Sequence, residues 1–164
     1  MHSPWRTLTL GVVLALGVVL AADIANLSAQ ARDPRMGTWK LDVANSKFSP
    51  GPAPQDLTLK VEPSGQGEKA TPELVNADGT RTTTQYTSNF DGKDYPLTGS
   101  QTADTVSLKR IDARTTDRTD KKGGKVAQTL RRVVSPDGKT MTVTVKGTNA
   151  QGQSTSNVAV FEKQ

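Results

Sequence analysis

Beyond residue 31 the apolar positions recur with a period of two, interrupted by Gly, Asn, Asp and Pro, and no segment there keeps the 3.6-residue period of a helix. In 140–146, TMTVTVK, the residues Met141, Val143 and Val145 share one face while Thr140, Thr142 and Thr144 share the other. The same alternation groups Leu57, Leu59 and Val61 in 56–62, Val106 and Leu108 in 104–112, and the apolar residues of 126–134 and 157–161. Between these runs stand turn signals: NADGT at 76–80, FDGKDY at 90–95, DKKGGK at 120–125, SPDGK at 135–139 and NAQGQ at 149–153. Asp-Gly and Gly-Gly pairs supply the positive φ angles that tight antiparallel turns require. Eight to ten strands are expected, near 37–43, 55–62, 67–76, 80–90, 93–97, 104–112, 114–120, 124–134, 139–147 and 153–162. Connections this short leave no room for a helical crossover, so consecutive strands pair antiparallel in an up-and-down meander. Closure into a barrel hides both the sheet edge and the apolar face, and a two-sheet sandwich is the alternative. The stretch 46–55, SKFSPGPAPQ, has three prolines that cannot donate to a ladder, and is expected to be a loop crossing an opening or covering an edge.

The first 31 residues carry a different pattern. One cation, Arg6, precedes an uncharged apolar run over 8–22, and Ala29-Gln30-Ala31 completes an A-x-A cleavage site. The run is shorter than the ~20 residues that span a bilayer. A signal peptide over 1–31 and a single barrel domain over 32–164 are therefore expected, with a periplasmic or extracellular location and no stable membrane insertion after cleavage. The chain has no Cys, so an exported domain must be held by its core alone.

Composition narrows the chemistry. The net charge is +5, but the charges are interspersed, which gives no footprint for nucleic acid. The lone His lies in the leader, so the domain lacks imidazole bases, thiolate nucleophiles and nitrogen–sulfur metal sites. Most acids, among them Asp78, Asp91, Asp94, Asp120 and Asp137, sit in turn sequences, where Asp serves local backbone hydrogen bonds. No catalytic residue, metal ligand or cofactor is assigned, and an enzyme is not expected.

Aromatics are scarce, which singles out Gly37-Thr38-Trp39 at the head of the first strand. With the Gly-rich strand meander and the two Asp-Gly-Lys hairpins, 91–93 and 137–139, this Gly-x-Trp resembles the lipocalin and fatty-acid-binding superfamily, especially its secreted lipocalin-like members. The resemblance implies a closed barrel whose floor is sealed by Trp39 packed under an Arg from a late strand. It also implies interior arginines that hold a ligand carboxylate.

On inward faces the residues to weigh are large or cationic. Alternation places Arg132 with Leu130 and Val134, and with Val126 and Gln128 further along; a bulge would instead exchange Arg131 and Val133 into that face. Arg110 follows Val106 and Leu108 by the same logic, and Tyr86 and Phe90 share a face with Thr82, Thr84 and Ser88. A buried guanidinium needs an anion, from Glu62, Glu68, Glu73 or Glu162 or from a ligand. The segment 113–121, ARTTDRTDK, is the most polar strand and is expected on a thin or exposed wall. The candidate ligand-binding residues are thus Trp39, Tyr86, Phe90, Arg110 and Arg132. The function they suggest is a monomeric barrel binding a small amphipathic or apolar molecule; the alternative is a structural or interaction barrel filled by its own side chains.

Overall fold

The structure, a computed structural model, describes residues 33–148 and 152–164. The expected leader lies outside the described residues, and so does the middle of the last turn. Among the described residues eleven strand segments follow in order: β1 (Gly37–Lys47), β2 (Asp56–Ser64), β3 (Gly67–Val75), β4 (Arg81–Thr83), β5 (Gln85–Asn89), β6 (Tyr95–Thr98), β7 (Thr105–Arg110), β8 (Thr115–Lys122), β9 (Lys125–Val134), β10 (Thr140–Thr148) and β11 (Ser154–Lys163).

β4 and β5 are one strand paired against β3 and interrupted at Thr84, whose amide still donates to Pro72 O at 3.0 Å. The rest is a meander: each strand pairs antiparallel with the next, and β11 returns to β1. The result is a closed all-β barrel of ten antiparallel strands, and its strands fall on the ten runs that alternation marked out. The hairpins form where positive φ is cheap. Gly123 and Gly124, at φ 54 and 77, join β8 to β9 in two residues.

Two irregularities shape the inside. β1 continues past the predicted end at residue 43 because a bulge between Asp42 and Lys47 absorbs extra residues. There Asp42 accepts from the Asn45 amide, and Ser46 Oγ accepts from the Val160 amide. In β9 the register changes so that Asp120 faces Gln128 but Lys121 faces Val126, leaving Ala127 as the extra residue. The bulge turns Val126 outward, 61% exposed, so Val126 does not share the inward face of Leu130 as strict alternation expects.

The interior is graded along the barrel axis. The core is densest where β1 begins and β9 and β11 end, around Trp39, Val61, Val134, Met141 and Phe161, all close to fully buried. At the other end the inward residues surround open space. The segment 113–121 departs from its expected exposure: Thr116 and Asp120 are completely buried, and Arg118 points inward with them. It is an internal polar wall, because the face that alternates with its exposed residues is satisfied by hydrogen bonds rather than by apolar packing.

Candidate functional site

The sealed end is built around Trp39, which has no exposed surface. Its indole Nε1 donates to Arg35 O at 2.9 Å, which ties the strand to the short segment ahead of it. The cation stacked on the indole comes from the last strand, as the resemblance implies, but it is a lysine: Lys163 Nζ lies 5.0 Å from the ring centroid and donates to Pro34 O at 3.0 Å. Asp33 anchors two arginines, Arg35 through Nε at 2.8 Å and Arg110 at 2.8 Å, while Arg35 also reaches Thr116 Oγ1. Both guanidiniums flank Phe90, at 4.9 and 4.4 Å from its centroid. Burial works against the Asp33 carboxylate, but the hydrogen bonds and charge of Arg35 outweigh it and hold the group below the usual carboxylate range.

From the opposite end a cavity of about 680 Å³ runs into the barrel. Its mouth is framed by the proline-rich β1–β2 connection, which contributes Phe48, Pro52 and Pro54, and by the β3–β4 turn. The connection is fastened on both sides. Ser49 N donates to Asn157 Oδ1 and Ser49 O accepts from Ser156 N, each at 2.9 Å, and Gln55 Nε2 donates to Ala77 O at 3.0 Å. Of the expected loop 46–55, residues 48–55 cross the opening, while Ser46 and Lys47 extend β1.

The cavity has two unlike walls. One is apolar and comes from β2, β3, β10 and β11, with Leu57, Leu59, Leu74, Val143, Val145 and Phe161. The other is a polar stripe up β8 and β9, formed by Arg132, Arg118 and Gln128, with Tyr86 of β5 at its deep end. Register explains the stripe: Thr116 pairs with Arg132, Arg118 with Leu130 and Asp120 with Gln128, so consecutive inward positions on adjacent strands touch.

Every charge on the stripe has a protein partner. Arg132 Nη2 donates to Glu68 Oε1 at 2.6 Å, and the Tyr86 hydroxyl donates to the same oxygen at 2.7 Å. Arg118 grips Asp120 with two hydrogen bonds, 2.6 and 2.9 Å, and lies over the Tyr86 ring at 4.7 Å. Gln128 Nε2 donates to Asp120 Oδ2 at 2.6 Å. Burial would push the Arg132 guanidinium down, but the Glu68 carboxylate beside it raises it above its ordinary value. Burial, reinforced by Glu68, pushes the Tyr86 hydroxyl up, so it stays a proton donor.

Of the five residues singled out from the sequence, Tyr86 and Arg132 line this cavity. Trp39, Phe90 and Arg110 belong to the sealed end, where strand direction carries them away from the mouth. Gln128 lines the cavity on the face where alternation places it, though it is not among the five; Arg118 and Asp120 are additions that alternation does not offer. Asp120, expected in a turn, is a buried strand residue, since β8 runs on to Lys122 before the Gly-Gly turn. The signal available was that hairpin itself, which sets Thr116, Arg118 and Asp120 beside the face of Leu130 and Arg132 once Ala127 is skipped. Asp78, Asp91 and Asp137 do serve their turns, each accepting from the backbone amide two residues on.

No protein-family model matches the chain, and no curated protein matches it. Among solved structures it is similar to the zebrafish ileal bile acid-binding protein complexed with cholic acid, with 11% identity and a TM-score of 0.45 over 80% of this chain and 99% of that one.

Proposed function

We propose that this chain is an exported, monomeric binding protein for a small amphipathic molecule, and not an enzyme. The observation that carries the reading is the cavity: about 680 Å³, open at one end, apolar on one wall and polar on the other. Ligand sites are typically several hundred Å³, predominantly apolar, with a few placed polar groups. A barrel filled by its own side chains would have no such space. The polar groups on its inner wall, Arg118, Arg132, Gln128 and the protonated Tyr86, recognise and orient a guest, while Asn76, Asp78, Thr80, Thr84 and Asn157 add further polar lining. Closure of the sheet leaves no edge strand for a second copy to extend.

The test is native mass spectrometry of protein purified from the envelope of its own host, together with titration by the uncharged dye Nile red. A co-purifying small molecule and saturable dye binding are expected. Protein that carries nothing and leaves the dye unbound overturns the reading in favour of a filled barrel. Export is supported by Ala29-Gln30-Ala31, and N-terminal sequencing of secreted protein should begin at Arg32.

A further inference from the structure

We infer that the guest is electrically neutral, an amphiphile whose polar end is an uncharged oxygen such as a hydroxyl, and not a carboxylate. The inference rests on the proposed binding function and specifies what the cavity selects.

The reasoning starts from charge. Arg35 and Arg132 are buried in the barrel and Arg118 is mostly covered, and each meets a carboxylate: Arg35 with Asp33 at 2.5 Å, an anion it shares with Arg110, Arg118 with Asp120 at 2.6 Å and Arg132 with Glu68 at 2.6 Å. The two that line the cavity, Arg118 and Arg132, are matched one to one by Asp120 and Glu68. An interior arginine attracts an anionic ligand only while its charge is uncompensated. Here an entering carboxylate would place a third negative charge beside two balanced pairs and lose its own hydration to do so. A neutral head group carries no such penalty.

The second observation is a hydrogen-bond vacancy. Among the described residues, two buried atoms of this ion pair have no partner, the donor Arg132 Nε and the acceptor Glu68 Oε2. Arg132 is 96% covered, its residual exposure being 4%, and it lines the deep part of the cavity beside Tyr86. Buried polar atoms left unsatisfied are costly, so the site favours a guest whose polar end both accepts and donates a hydrogen bond. A hydroxyl meets both demands without adding charge, whereas a carboxylate would bring only acceptors beside Glu68 Oε2. The apolar wall and the loop residues Phe48, Pro52 and Pro54 then take the tail toward the mouth. Glu68 is the specificity element in this arrangement: by neutralising Arg132 it turns an anion site into a site for a neutral polar group.

The experiment compares two ligands with identical tails, sodium laurate and the glycerol monoester of lauric acid, each displacing Nile red from the full domain. The monoester is expected to bind at least about tenfold more tightly. Laurate binding as tightly or more tightly overturns the inference while leaving the binding function standing. Failure of Nile red to bind at all overturns the binding function itself. Glu68→Gln supplies a second readout. It keeps an oxygen for Tyr86 but leaves Arg132 unbalanced, so the preference should move toward laurate by about tenfold. An unchanged ratio in a variant with native near-ultraviolet circular dichroism removes Glu68 from the role assigned to it.

Discussion

Trp39 and the Arg132–Glu68 pair are the two places where single side chains decide the most. Trp39 combines complete burial with a satisfied indole N–H, so its removal leaves both a void and an unpaired Arg35 carbonyl. Trp39→Ala should cost about 3–5 kcal/mol, read as a fall in the urea midpoint at unchanged slope. The ion pair behaves differently, because its two members exist to neutralise each other. Arg132→Leu strands the Glu68 carboxylate, which has no exposed surface, and should cost about 3–5 kcal/mol. The double variant with Glu68→Gln removes both charges and keeps an acceptor for Tyr86, so it should recover most of that loss. A double-mutant cycle by chemical denaturation checks this, and strict additivity of the two changes would contradict it.

At the scale of strands, the barrel depends on close approaches that tolerate no side chain. Gly67 opens β3 opposite Asn89, and a Cβ there would stand 1.9 Å from Ser88 O. The obstacle is backbone, so the strands themselves must separate. Gly67→Ala should cost about 1–3 kcal/mol or more by overpacking. Gly138 in the β9–β10 turn is the contrast: a Cβ there meets nothing, and its φ of 72 makes the cost purely conformational, about 1–2 kcal/mol for Ala. Thermal melts of the two variants should rank in that order. The bulge at Ala127 matters in the same way. Without it Arg132 would face Thr115 rather than Thr116, and the inward faces of β8 and β9 would no longer coincide.

For the whole molecule, charge distribution sets the response to pH. Asp33 is held low by Arg35, Asp117 by its hydrogen bond and charge pairing with Arg131, and Asp112 by the Arg114 and Thr115 amides and the Thr115 hydroxyl. A carboxylate with a depressed folded-state value contributes stability that is present above its unfolded value of about 4 and is lost as pH falls through the lowered one. Tyr86 works in the opposite sense. Its raised value means the unfolded chain releases that proton first, so stability declines as pH rises above about 10. With no His in residues 32–164, denaturation midpoints should be flat from about pH 5 to 8 and fall on either side. On the alkaline side, Tyr86→Phe should weaken the decline, and tyrosinate absorbance from Tyr86 should rise only with unfolding.

The architecture was legible because alternation and turn chemistry are local. Thr140, Thr142 and Thr144 against Met141, Val143 and Val145 mark a half-buried strand whatever surrounds it. Gly123-Gly124 and Asp137-Gly138 mark hairpins by their φ requirement alone, and a run of such units has few ways to close. Gly37-Thr38-Trp39 at the head of the first strand pointed to a plug, and the indole sits at the sealed end. The contents of the cavity were not local. Which cation stacks on Trp39, which carboxylate meets Arg132, and whether Arg118 and Asp120 face in or out depend on pairings between residues as distant as Glu68 and Arg132. They depend also on a one-residue bulge that reverses the inward set of a strand. The chain's own alternation determines that there is an inside. Only the register of the closed sheet decides which side chains share it, because a shift of one residue carries every side chain of a strand to the opposite face.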